Sequence, residues 1–337
     1  MTDAVFLRRL LTVATLAAGV VLLIRLADVV LLIFGAVLVA LLLHAIAGPL
    51  RARTPLGRTG ALAIAVLIVT VAATAAAWTF GQQLESQLAS LTELVPRAWS
   101  QLEIRLSRSP LGAAVLKELY SLPGPGGDWF APVPRLAAEA AGAVATAVIV
   151  SFAGLYLAFH PRAYAQGFLR LFPPQARARA SEIMDAVNEA LKRWLVGQLV
   201  SMVLVGGTTT LGLWLVGVPS PVGLGVLAGL GQFIPVIGPM AAAAPGLLVA
   251  LTEGPETLAL AAVVYLVTAQ LEANVITPLV LRQMAELPMA VSLFAVLAMG
   301  VLLGPLGVLF ATPLAVVAQV LIQKIYLESV LHEPQSG

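Results

Sequence analysis

The chain has 337 residues, 60% of them apolar and only 11% charged, with a mean hydropathy of +0.97. Soluble domains run near half apolar and a quarter charged, so this surplus of apolar side chains needs lipid to cover it. The formal charge of +2, with its basic residues scattered through short segments, excludes nucleic acid as a partner, and the absence of cysteine removes disulfides and thiolate chemistry.

Apolar runs lie at about 10–24, 29–47, 59–80, 140–159, 195–218, 222–252, 257–281 and 287–323. A hydrocarbon core of ~30 Å takes ~20 helical residues to cross, so the pattern predicts an all-α polytopic membrane protein with about eight membrane segments. The first run follows Arg8 and Arg9 and is expected to stay as an uncleaved span that sets orientation. It is separated from the second only by Arg25-Leu26-Ala27-Asp28, which predicts a tight helical hairpin with that charged corner at one interface.

Charge on the connecting segments gives a sidedness. Segment 48–58 has Arg51, Arg53 and Arg58 and no acid; segment 160–194 has Arg162, Arg170, Arg177, Arg179, Lys192 and Arg193 against Glu182, Asp185 and Glu189. Segment 81–139 instead balances five basic residues against six acidic ones. Lysine and arginine near span ends are retained in the cytoplasm, so the two basic segments and both termini are expected inside and 81–139 outside.

Within that outer segment Leu84, Leu88, Leu91, Val95, Ala98 and Leu102 repeat at spacings of four and three, one apolar stripe on a helix. Packing within the chain, lying on the membrane surface and zipping against another subunit all satisfy such a stripe. Pro123-Gly124-Pro125-Gly126-Gly127 reads as a hinge or exposed turn. On the inner side Pro173-Pro174 opens an amphipathic helix with Ile183, Val187, Leu191 and Trp194 on one face, feeding into the span that begins near Leu195.

The run 222–252 is broken at Pro235-Val236-Ile237-Gly238-Pro239. Proline lacks the amide donor and clashes with the preceding turn, so the halves on either side are separate helices, each too short to cross the core. They are expected to form a re-entrant hairpin whose tip is buried in protein or lines a wet cavity, because lipid cannot satisfy the freed backbone. A second break, Gly304-Pro305-Leu306-Gly307, divides 287–323 into another hairpin of opposite orientation, or into two short ordinary spans. Paired interruptions of this kind are the sequence-level pointer to a transporter site.

Between the breaks lies the polar stretch Thr268-Ala269-Gln270-Leu271-Glu272-Ala273-Asn274, ending at Thr277-Pro278. An ionisable carboxylate at that depth costs several kcal/mol unless paired, protonated or facing water. Glu272 is therefore the leading candidate for solute or ion binding, against the alternatives that it reaches an interface or pairs with Arg282. Gln270, Asn274, Gln232, Gln198 and Ser201 are further candidates, whereas Thr208-Thr209-Thr210 better suit hydrogen bonds that hold helices together. His44, His160 and His332 are too far apart to suggest a ligand set, so no metal or cofactor is expected. No catalytic constellation or phosphate-binding loop appears, which points away from an enzyme and from ATP hydrolysis.

The chain resembles the autoinducer-2 exporter-like (PerM-type) family of bacterial transporters. The likeness rests on Gln232-Phe233-Ile234-Pro235-Val236-Ile237-Gly238-Pro239, on Gln270-Leu271-Glu272-Ala273-Asn274-Val275-Ile276-Thr277-Pro278, and on Leu287-Pro288 with Gly304-Pro305-Leu306-Gly307 and Thr312-Pro313. Phe172-Pro173-Pro174 and Trp194-Leu195-Val196-Gly197-Gln198 also fit, whereas Leu287 stands where a histidine is common in the family. The resemblance implies about eight membrane segments in the bacterial inner membrane, a homo-oligomer with a pentamer as one candidate assembly, and export of small solutes. Autoinducer-2 and sodium or lithium exchange for protons are both associated with the family.

The expected organisation is then 1–80 N-terminal membrane helices, 81–139 external segment, 140–195 membrane helix plus cytoplasmic amphipathic helix, 196–327 transport core and 328–337 tail. A gradient-driven exporter of a small polar solute or ion leads. A sodium or lithium antiporter, a passive channel and a membrane scaffold are the alternatives.

Overall fold

The computed structural model describes residues 3–75, 77–78, 107, 132–234, 237–278 and 289–327. The leucine stripe of the outer segment, the turn at 123–127, Pro235, Arg282, Leu287-Pro288 and the tail lie outside these residues. Among the described residues five helices are long and apolar enough to cross a membrane, or six if one bent pair counts as a span.

Helix α1 (Asp3–Arg53) corrects the first expectation, because it runs unbroken through Arg25-Leu26-Ala27-Asp28 with no hairpin. Those four residues include no glycine or proline, and arginine, leucine and alanine are strong helix formers, so charge alone does not turn the chain. At 51 residues α1 is about 76 Å long, over twice the hydrocarbon core, and one rod crosses only once. The cytoplasmic placement of the N-terminus depended on the missing turn and loses that argument.

Helix α2 (Arg58–Ala75) follows a short turn in which the Thr54 hydroxyl donates to the Leu50 carbonyl. Helix α3 (Pro132–Phe159) begins seven residues before the expected boundary at 139 and bends by 89° into the short α4 (Pro161–Leu169). Pro161 suits the first turn of a helix but cannot continue the preceding one. Ala40, Leu43 and Ala47 of α1, Ala61, Leu62 and Ala65 of α2 and Ala158 of α3 bury one another in a wholly apolar cluster.

Helix α5 (Arg177–Val216) joins the amphipathic segment and the following span into one 40-residue rod. Its Leu191, Trp194 and Leu195 pack with Leu31 and Leu38 of α1 and with Phe310, Val316 and Val320, which binds the two halves of the protein together. Gly217 ends the rod with left-handed φ of 79°, and Pro221 starts α6 (Pro221–Gly231). Gly225 and Gly229 of α6 lie directly on the α5 backbone at Gly206 and Met202, an approach that any side chain would block.

Helices α7 (Ile237–Glu253) and α8 (Pro255–Leu271) follow, and α8 continues as a π-turn, Glu272–Ile276. Gly238 of α7 touches the Gly231 carbonyl of α6, and Ala242 lies beyond it. Leu224, near the start of α6, is buried in one cluster with Val249 and Ala250 near the end of α7, so the two helices are antiparallel. Helix α9 (Met289–Leu321) is likewise not one rod, because Gly304 adopts φ 63° and ψ −150°, a conformation essentially confined to glycine. Gly307 packs on the Met299 carbonyl and Val308 on Gly300, so 305–321 folds back on 289–303. Eight apolar runs have thus become fewer, partly folded membrane elements. Much of their outward surface is apolar, with Val301 as much as 88% exposed, as lipid contact requires.

Candidate functional site

The site is built where α5, α6, α7 and α8 meet. Pro278 has no amide to donate and its ring crowds the carbonyl one turn back, and in the π-turn just before it the Thr277 amide donates five residues back to Glu272. Such a bulge resets the facing of the side chains that follow it. Glu272, at its start, accepts a short hydrogen bond from the Gln232 amide nitrogen.

Gln232 caps the end of α6 at the break and is only 8% exposed. Its backbone carbonyl accepts from the Gln198 side chain at 2.7 Å, so α5 supports the opened backbone and α6 presents the side chain to α8. Trp194 and Phe233 stack edge to face beside it, ring centroids 5.6 Å apart, and fix the approach of α5 to the break. Three sequence candidates from three helices therefore form one chain of contacts, Gln198 to Gln232 to Glu272.

A cleft of about 310 Å³ opens beside Glu272. Pro239 of the first break lines it, together with Val205 and Thr209 of α5, Ala228 of α6, Met240, Ala243 and Leu247 of α7, and Tyr265 and Thr268 of α8. The Thr209 hydroxyl, the Tyr265 hydroxyl and the Gln232 side-chain oxygen are buried without a hydrogen-bond partner among the described residues. Buried polar atoms are nearly always paired, so orphans on Thr209 and Tyr265, which line the same cleft as Glu272, mark a place prepared for something else.

The other candidates fall elsewhere. Gln270 and Asn274 are exposed and bond each other, the Asn274 amide donating to both oxygens of Gln270 at 2.9 and 3.0 Å. Ser201 is buried on α5 away from the cleft lining. Gly238 sits at the first fold-back; Gly304, Pro305 and Gly307 make the second, which does not border the cleft. Thr208 and Thr210 bond carbonyls of their own helix instead of joining it to a neighbour as expected, and Thr209 between them faces the cleft. Tyr265 was not singled out by the sequence reading. Its signal is that Tyr265, Thr268 and Glu272 stand at i, i+3 and i+7, one face of α8.

Residues 10–327 match the family described as AI-2E family transporter. The chain belongs to the AI-2E transporter family. The match spans both fold-backs and every residue of the cleft, and it accounts for the multi-pass apolar helices. Among relatives, the Bacillus subtilis (strain 168) protein named "Putative transport protein YrrI" is 28% identical over 151 residues, 45% of this chain and 43% of that protein. Two proteins with names of the same form are YueF of the same organism and MT0215 of Mycobacterium tuberculosis (strain CDC 1551 / Oshkosh). YueF is 27% identical over 45% of this chain and 41% of its own, and MT0215 is 34% identical over 50% and 47%. The chain thus spans less than half the length of each of these curated relatives.

Proposed function

We propose that this AI-2E family member is a secondary transporter that moves a small polar or ionic solute outward, driven by a proton or cation gradient. The observation that carries the reading is the Gln232–Glu272 hydrogen bond at the broken end of α6, beside a half-open cleft among apolar helices. An intramembrane carboxylate held by a neutral amide can exchange that bond for a proton or a solute, and the break supplies a joint that can move with the exchange.

In this reading α6 with α7, and the two halves of α9, are re-entrant hairpins of opposite orientation. The basic residues of 160–194 support a cytoplasmic C-terminus, and in this reading the transporter works as a homo-oligomer in the bacterial inner membrane. Autoinducer-2-like solutes and sodium or lithium are the candidates to test first.

The experiment is proton movement in proteoliposomes loaded with a pH-sensitive dye, with autoinducer-2, Na⁺ or Li⁺ added outside. At least one should drive proton flux in the wild type, and Glu272→Gln should lower that flux at least tenfold with the oligomer unchanged. Flux that is equal in the variant removes Glu272 from the mechanism, and conductance far above carrier turnover would make the protein a channel.

A further inference from the structure

The class of molecule that fits the cleft follows from what lines it. Its polar groups are one carboxylate, Glu272, and the hydroxyls of Thr209, Thr268 and Tyr265; among the described residues no lysine, arginine or histidine borders it. An anion would meet a negative charge that no described residue offsets. The remaining walls are aliphatic, chiefly Val205, Leu247 and Leu266.

Size narrows the class further. About 310 Å³ has room for on the order of ten waters at ~30 Å³ each, far more than a bare alkali cation, which needs close oxygen ligands on every side. A polyhydroxylated solute would fill the volume but press most of its hydroxyls against hydrocarbon with no partner. The outward-facing lining residues are apolar as well, since Met240 and Leu266 are 72% and 63% exposed.

We propose that the cleft binds a small amphiphilic organic ammonium ion. Its charged head is held by Glu272 and donates to the orphaned Thr209 oxygen, while its apolar body lies along Val205, Leu247 and Leu266. An ammonium group has several donors and no acceptor, which matches a site whose unpaired groups can all accept. Clefts of this volume with mostly apolar walls and a few convergent polar groups are the usual form of an organic-ligand site. The inference rests on the transport reading only in taking the Glu272 cleft as the solute site.

Calorimetric titration of the purified full-length protein in nanodiscs tests it, with 2-phenylethylammonium as probe and the size-matched 2-phenylethanol and 3-phenylpropionate as neutral and anionic controls. The ammonium ion should bind saturably and at least tenfold more tightly than the alcohol, and the carboxylate should not bind. Glu272→Gln should weaken ammonium binding at least tenfold, and the near-isosteric Thr209→Val about threefold. Equal affinity for the alcohol, or ammonium binding that ignores both substitutions, overturns the proposal. Failure of the amine to bind beside Glu272-dependent flux of Na⁺, Li⁺ or autoinducer-2 overturns this inference alone. Saturable, Glu272-dependent amine binding without proton-coupled flux of any solute upholds it and overturns the transport reading.

Discussion

The helices before and after residue 177 solve the problem of living in lipid differently. Helices α1, α2 and α3 bury alanine and leucine against one another, while every polar residue buried among the described ones, Ser201, Thr209, Gln232, Thr268 and Thr312, falls in the later part. The later part also carries both fold-backs. The contrast teaches that opened backbone and buried polar side chains come together because each needs the other. A broken helix end exposes carbonyls that lipid cannot satisfy, and side chains such as Gln198 reach those carbonyls.

The sharpest way to break this comparison is to fill the first fold-back. Gly238→Leu places a side chain against the Gly231 carbonyl, where only backbone could give way, and should cost more than the ~3 kcal/mol typical of overpacking. Size-exclusion profiles should show loss of folded protein and of transport together. Gly48→Leu, at a helical glycine with open space around it, serves as the tolerated control.

Leu43→Ala attacks the apolar cluster of the earlier part. It should lower stability by about 2 kcal/mol, the low end for core truncation, since the transfer term is small when lipid is the alternative. Unfolding midpoints should fall while proton flux per folded molecule stays at the wild-type level. An equal loss of flux would mean that the two parts are coupled in transport and not only in packing.

The smallest effect belongs to the charged end of α5, where Arg179 donates to Glu182 at 2.7 Å and Lys324 approaches the other oxygen at 3.6 Å. The hydrogen bond from Arg179 holds the Glu182 carboxyl below its ordinary value of 4.5. A carboxylate with a lowered folded-state value stabilises the fold above the unfolded value and loses that contribution as the pH falls through the folded one. Glu182→Gln should therefore lower the melting temperature slightly at neutral pH, and the difference should fade as the pH falls below the unfolded value of about 4.3 and through the lowered folded one. High salt should shrink it as well, because the groups are exposed.

Both interruptions were legible in the sequence because their cause is local: proline has no amide to donate, and Gly304 permits a backbone angle that other residues resist. Glu272 and Gln232 were legible one at a time, as polar residues out of place in apolar runs. Their hydrogen bond was not, since forty positions separate them and only the packing of α6 against its neighbours decides that they meet. Arg25 to Asp28 misled because charge was read as a turn signal where no residue breaks a helix. Thr209 was missed because adjacent helix positions differ by about 100°, so Thr208 and Thr210 bond their own carbonyls while the residue between them faces inward.

The sequence by itself determined the solvent, the helical class and the points at which helices must stop, because these depend on composition and on the covalent limits of glycine and proline. Tertiary structure alone decided how tightly the halves of each break pack, that Gln232 meets Glu272, and that Tyr265 and Thr209 line a cleft with it. Those outcomes depend on how closely antiparallel helices approach and on which face each turns inward, and a linear order of residues does not contain that information.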